Sequence, residues 1–334
     1  MTSPVAGVRN VSTGNDAGSP LVSVVIPTYG RDPGLFRAAL RSAFAQTCPR
    51  IEVVVVDDAP DPVERLVEDP PVDVRYVRDA HDGVAAARNS GIEAATGRFV
   101  AFLDDDDRWH PEKVERQVAR FREGGPAVGV VVTGQQYVDE RGDPVGATEP
   151  TVSGDATVAL LTGGVNCATS TLMVRADAIE AAGRFDERFD VWEDLEWCVR
   201  LSRVCEFRSV PDPLVYRRDA DHEQLTDDFE EMRDRAYPLF VEKHRDLAAE
   251  YGPRTEDRIV ASLSLILGGE ALESGRYAEA RRFLLRSLRR NPREARAYLY
   301  LALAVGGRFA YGPAKYLKRR LASGADGRKA PETN

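Results

Sequence analysis

Three short apolar runs punctuate the first hundred residues: Leu21 to Ile26, Ile51 to Val56 and Phe99 to Leu103. Each run is continuous rather than alternating, the pattern of strands buried on both faces. Between them, residues 35–46 and 84–95 carry apolar positions at helical spacing. Strands alternating with helices predict right-handed crossovers and a sheet whose strand ends converge on one edge. The runs end in Pro27-Thr28-Tyr29-Gly30-Arg31, in Asp57-Asp58 and in Asp104-Asp105-Asp106-Asp107. Farther along, Glu193 to Ser202 reads as a helix with Leu195, Cys198, Val199 and Leu201 facing a core, and a strand follows at Cys205-Glu206-Phe207.

Ligands of open α/β sheets bind at the carboxyl ends of strands, which is where these acidic clusters fall. Four adjacent carboxylates repel one another unless a cation or a metal-bound phosphate sits among them. The plainer alternative is a solvated acidic turn, or an N-cap cluster ahead of a helix starting at Pro111. The second acidic pair, Asp57-Asp58, in an equivalent place shifts the balance toward a site. A dinucleotide-binding domain, or a nucleotidyltransferase gripping a triphosphate, needs a Gly-rich turn after the first strand. Pro27-Thr28-Tyr29-Gly30-Arg31 is not one, and carboxylates favour a metal-bridged diphosphate instead.

From about Glu256 the pattern changes to helices alone. Gly269 to Ala280, continuing through Leu284-Leu285 to Asn291-Pro292, resembles one tetratricopeptide-type hairpin, with Arg293 to Val305 as the next helix. One such unit cannot bury its own face, so it is expected to pack on the preceding domain or on a partner. An ordinary helical cap is the alternative.

The chain has 334 residues, 43% hydrophobic, and a net charge of −9. Residues 281–334 hold 14 Lys or Arg against 3 Asp or Glu, a balance of +11, so the remainder carries −20. An acidic body argues against a nucleic-acid partner. No run reaches transmembrane length, and residues 1–19 and 323–334 are expected to be disordered. Cys48, Cys167, Cys198 and Cys205 lack metal-type spacing and read as reduced thiols of a cytoplasmic protein. Basic and aromatic residues interleave from Arg293 to Leu321, including Phe309, Tyr311, Lys315, Tyr316, Lys318, Arg319 and Arg320. That mixture suits an anionic membrane surface, making a peripheral location on the inner face of the cell membrane the expectation; packing against the acidic body is the duller reading.

Six segments together carry a family resemblance. Val22 to Tyr29, Val54-Val55-Val56-Asp57-Asp58, Ala87-Arg88-Asn89-Ser90-Gly91 and Phe102 to Asp107 resemble motifs of the family 2 glycosyltransferases. So do Gly183-Arg184-Phe185-Asp186-Glu187 and Trp192-Glu193-Asp194-Leu195-Glu196, all in the family's order between about Leu21 and Thr226. The resemblance implies an α/β GT-A fold, a mostly parallel central sheet flanked by helices, over residues 20–252, with a helical extension over 253–322. It further implies a divalent metal (Mn2+ or Mg2+), a nucleotide-diphospho-sugar donor with UDP-sugar favoured, and transfer with inversion.

Residue by residue, the resemblance makes Asp106 the direct metal ligand. It sets Asp104 toward the ribose and metal shell, and Asp105 at the nucleotide. Asp107 is expected to cap the following helix. Asp58 resembles the carboxylate that accepts from uracil, with Asp57 as the alternative. Pro27, Thr28, Tyr29 and Arg31 would form the base-binding wall, and Arg88 would reach base or phosphate; its alternative is a surface ion pair. Asp194 is the candidate general base, although a carboxylate at a helix N-terminus alone reads as a cap. Glu193 would orient the acceptor or a cation, and His222 would complete the metal and phosphate shell in an uncertain register. Gly163-Gly164-Val165-Asn166 and Trp192 fall on the acceptor side. No Gln-x-x-Arg-Trp signature of processive synthases is present, so addition of one sugar to a lipid-linked or cell-surface glycan is expected. The contrasting reading is a non-catalytic sugar-nucleotide-binding or scaffold protein acting through its helical tail.

Overall fold

The computed structural model describes residues 19–30, 32–67, 70–78, 83–139, 141–165, 167–218 and 229–313. The chain begins with β1 (Val22–Thr28), crosses over through α1 (Pro33–Phe44) to β2 (Ile51–Asp57), and adds β3 (Asp73–Arg78) at the edge. It then returns through α2 (Val84–Ala94) to β4 (Phe99–Phe102). These strands are parallel; Val24 lies level with Val53 on one side and Ala101 on the other. Every residue of β1, β2 and β4 is buried, which is why their sequences run apolar without alternation. The entry to α1 is built by Asp32, whose side chain accepts from Gly34 N at 2.7 Å and Leu35 N at 3.1 Å ahead of a first-turn proline.

The second half inserts an antiparallel strand and makes the sheet mixed. It comprises β5 (Arg108–Trp109), α3 (Lys113–Gly124), β6 (Val128–Val138), β7 (Pro144–Thr148), β8 (Ser153–Gly154) and α4 (Thr157–Leu161). Next come β9 (Leu172–Arg175), α5 (Ala176–Ala182), α6 (Glu193–Ser202) and β10 (Glu206–Arg218). The order is β3-β2-β1-β4-β9-β6-β10-β5, with β7 on β6 and β8 on β10. Strand β9 is antiparallel to β4 and β6, and β10 runs parallel to β6. The parallel expectation therefore describes β1 to β4, and the site beyond them is assembled by mixed pairing.

The helix expected from Pro111 starts at Lys113, because residues 108–109 first form β5 and pair with Tyr216 and Val215 of β10. This corrects the reading of Asp107 as a helix cap. It lies upstream of β5, and α3 has no side-chain cap.

After β10, α7 (Phe229–Glu231) passes through a π-helical turn into α8 (Tyr237–Lys243), then α9 (Arg245–Glu250). Three longer helices follow: α10 (Thr255–Glu273), α11 (Tyr277–Arg290) and α12 (Ala295–Gly306). Gly275, at φ +72°, makes the turn between α10 and α11. At their crossing Gly268 admits Leu284 so closely that a Cβ there would stand 2.7 Å from its Cγ. The extension packs on the preceding domain: Ile259, Leu263, Leu267 and Leu284 belong to the same buried cluster as Phe102, Trp197 and Phe207. Among the described residues no helix is long and apolar enough to cross a membrane. Arg31, His81, Asn166 and His222, and nearly all of both expected disordered tails, lie outside the described residues, as do Lys315 to Leu321.

Candidate active site

The carboxyl ends of β1, β2 and β4 bring the acidic motifs together as one edge. Thr28 Oγ1 donates to Asp105 Oδ2 at 2.6 Å and accepts from Gly30 N at 3.1 Å, so the first strand's end is tied to the third's. Asp58 N donates to Thr28 O at 2.8 Å, linking the second. Pro27 is buried beneath this edge, and the ring of Tyr29 stands half-exposed above it.

Asp57 and Asp58 differ in their surroundings. Asp57 is fully buried and accepts from Ala59 N at 2.9 Å, Val63 N at 2.8 Å, the Tyr76 hydroxyl, and Arg78 Nη1 at 2.9 Å. Burial alone would raise its pKa, but these donors hold it below the ordinary aspartate value. Its carboxylate is committed to the 57–63 loop and strand β3.

Arg88 on α2 is the hub of the opposite wall. Its guanidinium is buried and bonds Glu193 Oε1 at 2.5 Å, Asp104 Oδ1 at 2.7 Å and Thr169 Oγ1 at 2.8 Å. The surface ion-pair alternative does not match this buried position. Arg88 is a strut joining the acidic quartet to the head of α6. Phe185 lies under the guanidinium at 5.7 Å, stacks on Trp197 at 4.2 Å, and Trp197 meets Phe102 edge-on. Asn89 fixes the neighbouring loop by accepting from Phe185 N and donating to Phe185 O and Glu187.

The quartet is crowded. Burial and repulsion from Asp106 and Asp104 push Asp107 well above the usual carboxylate range, opposed by Arg217 and a Ser170 hydroxyl. Asp104 goes the other way: burial would raise it, but Arg88 holds it down. Arg217, Thr169 and Ser170 were not singled out from sequence. Thr169 and Ser170 arrive from the turn before β9, where Ser170 Oγ accepts from Asp104 N at 3.1 Å. Arg217 arrives on β10. The one signal for it was a pair of arginines ending an apolar strand.

At the head of α6, Trp192 takes the left-handed conformation at φ 65°, unique among the described non-glycine residues. Its ring packs edge-on against Phe240. This turn presents Glu193 inward, buried against Arg88, and leaves Asp194 half-buried on the crevice side of the helix N-terminus. Burial pushes Glu193 up to about 7, with Arg88 opposing and Asp194 adding to the rise. Asp194 is also raised by burial, with Arg88 opposing. A carboxylate poised above its usual range next to a cleft is suited to taking a proton near neutrality.

Whether the quartet fits a divalent metal can be asked of its chemistry. The donors are hard carboxylate oxygens under mutual repulsion, the environment that favours a divalent cation. Among the described residues no three acidic, His or Cys groups converge on one ion position.

A sheet edge lined by aspartates and closed by the Glu193-Asp194 helix is the kind of edge at which open α/β sheets bind their ligands. Residues 23–181 match the model of glycosyl transferase family 2. A glycosyltransferase of Nostoc sp., itself uncharacterized, is 35% identical over 59% of this chain and 64% of its own length. The succinoglycan biosynthesis protein ExoW of Rhizobium meliloti is 40% identical over 27% of this chain and 31% of its own. The chain thus spans less than two thirds of the length of either relative. Among solved structures, S. aureus TarS (residues 1–349) shares the fold with a TM-score of 0.58 at 18% identity, covering 94% of both chains. TarS has also been solved with UDP and with UDP-GlcNAc. Residues 23–181 thus resemble glycosyl transferase family 2, and the chain shares its fold with TarS.

Proposed function

We propose that this enzyme transfers one sugar, with inversion, from a UDP-sugar to a hydroxyl of a glycan acceptor. The observation that carries the reading is the Arg88 strut, which holds the donor-side Asp104 and the base-side Glu193 on either end of one guanidinium. Support for UDP comes from the TarS complexes, and support for a glycan from the succinoglycan relative. With Asp57 committed elsewhere, Asp58 is the carboxylate for the base and Tyr29 the stacking face. Members of the family generally use a divalent metal; Mn2+ or Mg2+, when bound, would neutralise the leaving diphosphate. Asp106 would hold it, with Asp104 in its shell. Asp194 takes the proton from the attacking hydroxyl, and the repulsion that Asp104 exerts on it favours accepting that proton. Calorimetry with UDP tests the donor side: binding should strengthen with manganese, and Asp106→Ala should erase the difference. Equal manganese dependence in that variant removes Asp106 from the role.

A specific surface also favours contact with a membrane that carries a lipid-linked acceptor. Tyr298, Leu299, Val305 and Phe309 are exposed on and after α12, with Phe309 at 79%, in the basic end of the chain. Sedimentation of the full chain with anionic vesicles at low salt should be lost on Val305→Ser/Phe309→Ser. Equal sedimentation of both proteins, or none of the parent, overturns it.

A further inference from the structure

A second concavity lies beside the carboxylate crevice and has no part in the donor chemistry. It is a cavity of about 360 Å³ between the β6–β7 hairpin, the start of α4 and the loop that follows it. That volume is within the range of small-molecule sites, about 300–1,000 Å³. Its lining includes Thr133, Gln135, Thr148, Thr151 and Thr171, together with small residues such as Ala159, and no aromatic side chain. With Glu149 and Asp155 also at its lining, such a wall offers hydroxyl, amide and carboxylate groups rather than a broad apolar surface, the chemistry that matches sugar hydroxyls.

Two atoms of this wall are conspicuous. Thr133 and Gln135 are 2% and 1% exposed, and Thr133 Oγ1 and Gln135 Oε1 have no hydrogen-bond partner among the described residues. The Gln135 amide is not randomly oriented: its Nε2 donates to the Tyr137 hydroxyl at 2.6 Å, which leaves Oε1 as the open acceptor. Buried polar atoms without partners are costly, and a native cavity normally meets them with water or ligand. A wall of this kind holds water when empty, and sugar hydroxyls reproduce the bonds of the water they displace.

The cavity also connects to the reaction centre. Thr171 closes the same turn whose Thr169 touches Arg88 and Asp104 and whose Ser170 holds Asp104 N. On the other side Gly164 and Val165, expected on the acceptor side from sequence, form part of the lining.

We infer that this cavity is an acceptor subsite that holds a neutral saccharide unit through Thr133 and Gln135. The inference rests on the transferase reading above and deepens it: the acceptor is recognised as carbohydrate, by a unit beyond the crevice that holds the donor.

The test uses the full chain with methyl β-glycosides of glucose, galactose and N-acetylglucosamine, followed by saturation-transfer NMR in the presence of UDP and manganese. At least one glycoside should bind. Thr133→Val/Gln135→Leu should weaken it about tenfold, the scale of losing hydrogen bonds to neutral groups. Ala159→Phe, which fills the cavity from α4 without touching those two residues, should do the same. UDP affinity should stay unchanged in both variants, showing that the fold and donor site persist. Failure of all three glycosides to bind, or binding retained in either variant that keeps UDP affinity, overturns the subsite. Loss of UDP binding in the parent chain would instead strike the donor assignment, while the glycoside signal still decides the cavity.

Discussion

Asp57 and Asp107 are the same residue type at the ends of nearby strands in one sheet, both buried, and they respond to burial in opposite ways. Asp57 is met by two backbone amides, a tyrosine hydroxyl and an arginine, so it remains ionised and works as a bracket for the 57–63 loop. Asp107 is met by other carboxylates, and the guanidinium of Arg217 only partly relieves it. At the first position the protein's own donors hold the charge, whereas at the second burial and neighbouring carboxylates disfavour it. An acidic motif at a strand end therefore says little until its donors are counted.

The sharpest way to break this contrast is Asp57→Ala. Removing a buried carboxylate that satisfies four donors should cost about 3 kcal/mol of unfolding free energy, discounted toward that figure because Arg78 is partly exposed. Chemical denaturation measures it, and a loss below 1 kcal/mol would return Asp57 to the ligand-binding candidates. Next in size is Asp194→Asn, which should cut turnover roughly 100-fold or more while UDP still binds, the scale of a lost general base. Near-normal turnover would move the proton transfer elsewhere.

The smallest effect belongs to Glu193, whose carboxyl is raised to about 7 in the fold. A group with a raised pKa is protonated in the native state where the unfolded chain has already ionised. Its contribution therefore falls as pH rises from the ordinary glutamate range to about 7, and is level beyond it. Glu193→Gln keeps a neutral partner beside Arg88 and should flatten that part of the stability curve. An unchanged slope between wild type and variant would show that Glu193 binds its proton equally in the folded and unfolded chain.

The strand ends were legible in the sequence because strands buried on both faces leave unbroken apolar runs, and a polar residue after such a run marks the sheet edge. Helix α6 was legible for its spacing. Asp107 does not cap the next helix because β5, only two residues long and formed through its partner on β10, intervenes. Thr169, Ser170 and Arg217 reach the quartet across 60 to 110 residues of chain, about the separations of Asp104 from Thr169 and of Asp107 from Arg217. They get there through an antiparallel insertion and a late parallel strand, and local periodicity carries no information about such returns. The cavity beside β6 was invisible for the same reason: a threonine and a glutamine in a valine-rich strand look like ordinary edge polarity until their missing partners are seen.

The packing of α10 on the preceding domain has a consequence for inheritance. A helical pair joined to its host by a flexible linker can be lost, duplicated or exchanged between relatives without harm to catalysis. Here Ile259, Leu263 and Leu267 of α10 sit in the same buried cluster as Phe102, Trp197 and Phe207 of the preceding domain. Substitutions in these helices are thus filtered by the packing of the catalytic body. Any descendant that trades the pair for another must change both sides of that seam together.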